Sequence, residues 1–331
     1  MIRSLEINGF KSFVSQNIEL SPLTILTGLN SSGKSSVIQS IRILSRVANS
    51  EKESLLDGHG TIEELKNPFV DNGIKLKAIY ENTTNRLASI TFPAETEEYD
   101  INNNFPEVIY ISADRFGPQT SIPIATNHNL GPKGENILNC IDFYQYEQLN
   151  SLLKHQNSEG ETFGFNLEAW LGAISPGVKF KHEIQKLTDS SYTLFNGHRA
   201  MNVGFGLSYT LPIIVALFLG TIKPNTIVLL ENPEAHLHPK GQTELSKLIA
   251  LAVQAGAQVI VETHSDHLFD GIRVFAKQHN GFAKDVNIYW FELDQRKNTN
   301  IEASVLDDNG RLDKWPDGLF DQFEINASEL L

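Results

Sequence analysis

The pattern of hydrophobic and polar positions predicts a β-rich N-terminal part of the chain. Apolar or alternating runs of strand length lie at residues 2–7, 13–20, 23–27, 75–80, 86–92 and 108–112. The first two flank a turn at Gly9, which predicts an antiparallel edge. The runs 75–80 and 86–92 predict a hairpin around the polar residues 82–85. We therefore expect an antiparallel N-terminal β subdomain.

Further along, the pattern changes to loops and helices from about residue 120 to 185, and then helices alternate with strands. Helical runs lie at residues 138–144, 167–171, 208–220 and 241–255, and strand-like runs at 226–230, 258–262 and twice within 286–305. Such alternation predicts a mainly parallel central sheet covered on both faces. The acidic tail from Asp307 is weakly patterned, and no sustained heptad run predicts a coiled-coil arm.

These elements predict an α/β fold, with one domain over residues 1–331 in three parts. Residues 1–118 hold the β subdomain and the first part of the core. Residues 119–200 form an inserted helical lobe, and residues 201–331 complete the core.

Composition narrows the classes of protein. The 331 residues are 40% hydrophobic, enough for a large core, and the net charge is −13. Because a DNA-coating surface needs clustered Lys and Arg, nucleic-acid binding is left open but unsupported. The single cysteine, Cys140, fits a reducing compartment. The apolar run 211–220 is too short to span a bilayer, and Glu6 and Asn8 interrupt the first apolar stretch. We expect a cytoplasmic protein without a membrane partner.

The strongest chemical signal is a P-loop at residues 28–35, between a strand-like run and a helical run. Its glycines let the backbone wrap phosphates, Lys34 supplies a cation, and the Ser35 hydroxyl suits Mg²⁺. This context predicts ATP binding; the alternative is a plain glycine turn between strand and helix. The predicted nucleotide contacts in and after the loop are Gly28, Asn30, Ser31, Ser32, Gly33, Lys34, Ser35 and Ser36.

A second signal follows the buried run 226–230, where Glu231, Asn232, Pro233 and Glu234 form what we call the Walker B turn, residues 231–234. Carboxylates at the carboxyl end of a buried strand can hold Mg²⁺, and we assign Glu231 that role beside Ser35. A strand-terminating turn with Pro233 as breaker is the alternative. One strand later, His264 is placed to reach the γ-phosphate or the attacking water.

In this order the motifs resemble the ATP-binding-cassette (ABC) class of P-loop ATPases, in the soluble branch with the RecF, SMC and overcoming-lysogenization-defect proteins. Residues 9–13 resemble that branch's opening, which adds Lys11 to the nucleotide contacts. Residues 202–209 resemble its signature segment, 231–239 its Walker B and D-loop, and 263–265 its switch histidine. Among these relatives the chain is similar to small stand-alone ATPases of bacterial antiphage systems.

The resemblance implies a mode of action. In this class the signature segment, here with Gly206 and Ser208, completes the P-loop of another subunit. A homodimer or higher even-numbered oligomer that sandwiches ATP is implied, together with a separate effector such as a nuclease. A RecF-like DNA clamp in repair is the alternative function, and a transporter ATPase subunit is a third.

Two departures from the family pattern bear on activity. Asn232 replaces the usual carboxylate and cannot accept a proton, so hydrolysis is expected to be slow. Glu234 is the nearest substitute, and the alternative is that it pairs across the dimer. No residue matches the Q-loop clearly: Gln119 is a candidate, and Asp114 or Arg115 could line the site instead. A zinc site is a further alternative, with histidines at His236, His238, His264 and His267.

Overall fold

The computed structural model describes residues 1–49, 55–81, 85–92 and 105–330. The chain forms two compact units. Unit 1 comprises residues 1–108 and 281–331, and unit 2 comprises residues 109–280. Of the predicted polar turn at 82–85, residues 82–84 lie outside the described part.

Unit 1 contains elements from both ends of the sequence. They are β1 (Ile2–Asn8), β2 (Ser15–Glu19), β3 (Leu23–Gly28), α1 (Lys34–Ala48), α2 (Ile62–Leu65), β4 (Ile74–Glu81), β5 (Asn85–Phe92), β13 (Val286–Leu293), β14 (Thr299–Val305) and α8 (Gln322–Leu330). Helix α8 lies in the weakly patterned tail, where no element is predicted.

The N-terminal strands confirm the antiparallel β subdomain. They pair in the order β2-β1-β4-β5, and all neighbours are antiparallel. Leu5 and Ile7 on β1 and Leu76 and Ala78 on β4 are fully buried. This alternation leaves one apolar face on the sheet, and helix α1 packs against β1, β4 and β5.

A second group of strands carries the segment before the P-loop. Strand β3 pairs in parallel with β13, which pairs antiparallel with β14. Every residue of β3 is buried, as expected of a strand covered on both faces.

Unit 2 contains the alternating elements and the lobe. They are β6 (Glu107–Ile111, which begins in unit 1), β7 (Ile122–Pro123), α3 (Ile137–Tyr144), α4 (Phe163–Ile174), β8 (Phe180–Gln185), β9 (Ser190–Phe195), β10 (His198–Arg199), α5 (Phe205–Ile222), β11 (Thr226–Glu231), α6 (Pro239–Gln254), β12 (Gln258–Glu262) and α7 (Asp266–Gln278). Strands β11 and β12 are parallel and fully buried, with β6 on the other side of β11.

The lobe between residues 119 and 200 contains more than helices. Strand β9 pairs antiparallel with β7, β8 and β10, beside the helices α3 and α4. The alternation in β8 and β9 is weak because their inward positions include Ser191 and Thr193. The hydrophobic pattern therefore did not predict these strands.

Helix α5 is the core helix of unit 2. By length and composition it is apolar enough to cross a membrane, which the ten-residue run within it did not indicate. Two observations favour a core role: 67% of its length is buried inside the protein, and it packs against α4, α6 and β11. A helix that is apolar all round is expected at such a position.

Candidate nucleotide-binding and catalytic residues

The P-loop in unit 1 has a glycine at its beginning and another near its end, and no other residue could replace either without strain. Gly28 has φ 138°, and a Cβ there would lie 2.1 Å from the carbonyl oxygen of Phe291. Gly33 has φ 109°, and a Cβ there would lie 2.5 Å from Thr299 Oγ1. Ser31 also has a positive φ, of 61°. Residues with positive φ are interspersed with residues of negative φ in this loop, which lies at the start of a helix. Such a loop points its backbone amides into a concave surface that fits a polyphosphate.

Lys34 is held at the inside of this loop. Its side chain is buried, and Nζ donates to the carbonyl oxygens of Gly28 (3.0 Å) and Leu29 (2.6 Å). The hydroxyl of Ser32 also donates to the Leu29 carbonyl, at 2.7 Å. The ammonium group thus lies where it can exchange carbonyl oxygens for phosphate oxygens, because both are simple acceptors.

The other predicted contacts of unit 1 differ in exposure. Asn30 and Ser31 are exposed, Ser35 is half-buried and Ser36 is buried in the first turn of α1. Lys11 has a positive φ of 52°, and its Nζ donates to Gln39 Oε1 on α1 at 2.5 Å. Lys11 therefore contacts α1, the same helix that begins at Lys34 of the P-loop.

In unit 2, Glu231 is the last residue of β11 and only 8% exposed. Its Oε2 accepts hydrogen bonds from the Tyr110 hydroxyl (2.9 Å) and the Ala113 amide (3.3 Å). These bonds fix the carboxylate, and a fixed oxygen donor fits a hard cation such as Mg²⁺.

Asn232 turns the chain with a positive φ of 44°. Its amide donates to the Glu262 carbonyl at 2.9 Å, and its own carbonyl accepts from Arg115 Nη2 at 2.8 Å. Its side-chain Oδ1 is buried and has no hydrogen-bond partner among the described residues. Asparagine tolerates this backbone conformation better than glutamate does, which is a local reason for the unusual residue.

Glu234 connects the Walker B turn to the switch histidine. Its Oε1 accepts from the His264 amide at 2.8 Å, whereas Oε2 is buried without a partner in the described part of the chain. Burial raises the pKa of Glu234, opposed by the hydrogen bond from His264. A carboxyl group with one bound and one unpaired oxygen can accept a proton from a water. The side chain of His264 itself is exposed.

The sequence predicted for Arg115 only that it could line the site in place of Gln119. It is 2% exposed and donates to the carbonyls of Ser112 (2.8 Å), Glu231 (2.7 Å) and Asn232 (2.8 Å). Its guanidinium carbon lies 5.2 Å from the ring centroid of Tyr209 on α5. Burial lowers the pKa of Arg115 to about 10. Arg115 therefore joins the Walker B turn to α5, which we call the signature helix because it contains residues 205–209 of the signature segment.

The helix of the signature segment begins three residues before the helical run predicted at 208–220. Gly204 is the N-cap and α5 begins at Phe205, so Gly206 and Ser208 lie inside the helix. A Cβ on Gly206 would lie 2.7 Å from the carbonyl oxygen of His236, which explains the glycine. Ser208 is half-buried and lines a cavity with Gln119, the Q-loop candidate. Pro212 has no amide to donate to the Ser208 carbonyl, four residues earlier.

His236 and His238, two of the candidate zinc ligands, each make local contacts within unit 2. His238 caps α6 by accepting from the Lys240 amide at 3.2 Å. The His236 ring lies 4.7 Å from that of Tyr209. Within residues 1–49, 55–81, 85–92 and 105–330, no group of three or more His, Cys, Asp or Glu side chains is arranged to hold a metal ion.

Comparisons with known proteins agree with these features. A family model described as AAA ATPase domain matches residues 1–170 and 74–269, and one described as Protein of unknown function (DUF3696) matches residues 283–330. The Old nuclease of Escherichia phage P2 is 22% identical over 85% of this chain. The match covers 60% of that protein, so this chain spans less than two thirds of its length.

Solved structures show the same fold. The SmcHead bound to the C-winged helix domain of ScpA has a TM-score of 0.55 at 13% identity, over 92% of this chain and 98% of that one. The Smc head domain with an extended coiled coil from Pyrococcus furiosus has a TM-score of 0.54 at 11% identity, over 100% and 99%. Such identities show the fold alone, and they confirm the predicted ABC-type α/β class. Because the first family match spans residues 1–269 in two overlapping parts, the chain belongs to the family of AAA ATPase domains.

Proposed function

We propose that this chain is a slowly hydrolysing ATPase whose ATP-bound dimer controls a separate effector protein in a DNA-linked process, bacterial antiphage defence. The observation that carries the proposal is the P-loop with its buried Lys34, together with a Walker B turn that has Asn232 where a carboxylate is usual. The first feature supports binding of ATP, and the second supports slow turnover.

Each predicted residue then has a role. The P-loop amides and Lys34 bind the phosphates, with Lys11 as an additional cation. Ser35 and Glu231 are the proposed ligands of Mg²⁺, which would supply neutralisation of the phosphate charge. Glu234 accepts the proton of the attacking water, while Asn232 and His264 orient that water.

The dimer is supported by the exposed surface of the signature segment. Phe205 in this segment is 55% exposed and Met201, directly before the segment, is 58% exposed, although both are large apolar side chains. Apolar groups at a helix start that also presents free amides suit a contact with a second copy carrying phosphates. In the proposed dimer Gly206 and Ser208 face the nucleotide of the partner chain.

The effector is inferred by analogy. The relative from phage P2 is named a nuclease, and this chain spans 60% of it. The sequence motifs identified in this chain all belong to the nucleotide chemistry, so a partner would supply any cleavage of DNA. The ATP-bound state then acts as the signal to that partner.

The test is the mass of the purified protein by light scattering, with and without ATP and Mg²⁺. We expect the wild type to dimerise only with ATP. Lys34→Ala should lose ATP binding and dimerisation together, whereas Ser208→Arg should keep ATP binding and lose dimerisation. Exposed residues supply matched controls, Lys284→Ala in unit 1 and Ser151→Arg in unit 2, and both should behave as the wild type.

Unchanged dimerisation in both Lys34→Ala and Ser208→Arg would refute a composite site. A wild type that stays monomeric with ATP but binds duplex DNA in a salt-dependent manner would favour the clamp function instead.

A further inference from the structure

We infer that Thr299, on β14, is a positioning residue for phosphate binding, through the peptide that joins Ser32 to Gly33. The inference rests on the proposed binding of ATP and deepens it. It assigns a role to the C-terminal hairpin β13–β14, which none of the ATPase motifs includes.

The contact is buried and direct. Thr299 is 6% exposed, and its Oγ1 donates to the Ser32 carbonyl at 2.8 Å. The Ser12 hydroxyl lies 2.7 Å from the same Oγ1 and must be the donor in that pair, because Thr299 has already used its only hydroxyl proton. The Thr299 amide donates to the Ser12 carbonyl at 2.8 Å.

This bond sets the direction of an amide in the P-loop. A trans peptide is planar, and its C=O and N–H groups point in opposite directions. Since the Ser32 carbonyl points at Thr299, the Gly33 N–H of the same peptide points away from β14. That amide is the one directly before Lys34, and amides of this part of a P-loop bind phosphate.

The P-loop has little room to adopt another conformation at Gly33. A Cβ on Gly33 would lie 2.5 Å from Thr299 Oγ1 and 2.9 Å from Phe13 Cε2, so the loop is seated against both groups. The Leu29 amide also donates to the Phe291 carbonyl on β13, at 3.1 Å. The hairpin therefore holds the loop at its beginning and near its end, and Ser12 ties the hairpin to the turn that carries Lys11.

The test compares Thr299→Val, which removes the hydroxyl at nearly constant shape, with Thr299→Ser, which keeps it. Ser304→Ala is the matched control on the same strand, because the Ser304 hydroxyl is buried and has no partner in the described structure. Calorimetry would measure binding of Mg-ATP and of Mg-tripolyphosphate to the full chain, with thermal unfolding of each variant alongside.

We expect Thr299→Val to weaken both ligands about tenfold, the effect of losing one hydrogen bond that orders the loop. Thr299→Ser should stay within about twofold of the wild type, and Ser304→Ala should not change. In turnover, KM should rise with kcat preserved. An unchanged affinity in Thr299→Val, or a loss that Thr299→Ser does not rescue, would overturn the inference. A wild type that binds neither ligand would instead refute the proposed function and the inference with it.

Discussion

The P-loop of unit 1 and the Walker B turn of unit 2 share several local features but differ in the role of their buried basic side chain. Each follows a fully buried strand, contains residues with positive φ, and has a buried cation that donates to the carbonyls of the turn. In the P-loop that cation is Lys34, and in the Walker B turn it is Arg115.

The difference lies in the chemistry of the two side chains. The lysine ammonium is a compact point charge on a flexible stem and can turn from carbonyls to phosphates. The guanidinium of Arg115 is planar, packs near Tyr209 and bonds three carbonyls at once. We infer that Lys34 is placed to bind a ligand, whereas Arg115 holds the Walker B turn and α5 together.

Buried side-chain atoms without a hydrogen-bond partner also distinguish the Walker B region from the P-loop. Three buried side-chain atoms without a partner among the described residues belong to the Walker B region: Arg115 Nε, Asn232 Oδ1 and Glu234 Oε2. Each costs free energy when it is left dry. We interpret the Walker B turn as a site that is completed by water or nucleotide, while the P-loop is already organised by hydrogen bonds within the loop and to the hairpin β13–β14.

The largest effect expected from this comparison is on stability. Arg115→Ala should lower the free energy of unfolding by about 3 kcal/mol, because three backbone carbonyls lose their donor and the bond to the Glu231 carbonyl is buried. Lys34→Ala should change it by no more than about 1 kcal/mol, since the Leu29 carbonyl keeps the Ser32 hydroxyl as a donor and only the Gly28 carbonyl loses its side-chain donor. Urea denaturation of both variants measures the difference. Equal losses would remove the distinction between the two cations.

The second effect concerns turnover. Glu234→Gln should lower the rate of ATP hydrolysis by about tenfold or more, because the amide cannot accept the proton of water. Asn232→Ala should change the rate less than about threefold. Steady-state phosphate release at saturating ATP gives both values, and Mg-ATP affinity measured in parallel serves as the control. If Asn232→Ala is the more damaging change, the assignment of Glu234 is wrong.

The smallest effect is a pH dependence of stability. Burial raises the pKa of Glu234 above its ordinary value of 4.5, so the folded protein binds this proton more tightly than the unfolded chain does. The contribution of Glu234 should therefore become less favourable as the pH rises from about 4.5 through the folded-state pKa, and then level off. Glu234→Gln should lack this slope in urea titrations at a series of pH values. A slope of opposite sign would show that the bonds to the ionised carboxylate outweigh burial.

Much of the fold could be predicted because its strongest periodic segments are also its core. The runs at 23–27, 226–230 and 258–262 became β3, β11 and β12, and the apolar run 211–220 lies inside α5. The strands β8 and β9 and the helix α8 were not predicted, because polar residues at their inward positions, or exposed apolar ones in α8, weaken the periodicity on which prediction depends.

The residues of the candidate site could be predicted only in part, because some of them act through backbone atoms that have no sequence pattern. Motif residues such as Lys34, Glu231 and Glu234 are recognisable from their spacing along the chain. Arg115 and Thr299 act through backbone carbonyls, which every residue possesses, so no residue pattern marks their partners.

By itself, the sequence determined that the chain has a P-loop between a strand and a helix, an α/β alternation and a Walker B turn with Asn232 in place of a carboxylate. These are properties of neighbouring residues and of their periodicity. Only the tertiary structure decided that Thr299, 267 residues after Ser32, orients the P-loop, and that Arg115 joins Asn232 to the signature helix. Such contacts are decided by folding, because a hydrogen bond depends on where two atoms meet in space and not on how far apart they lie in the chain.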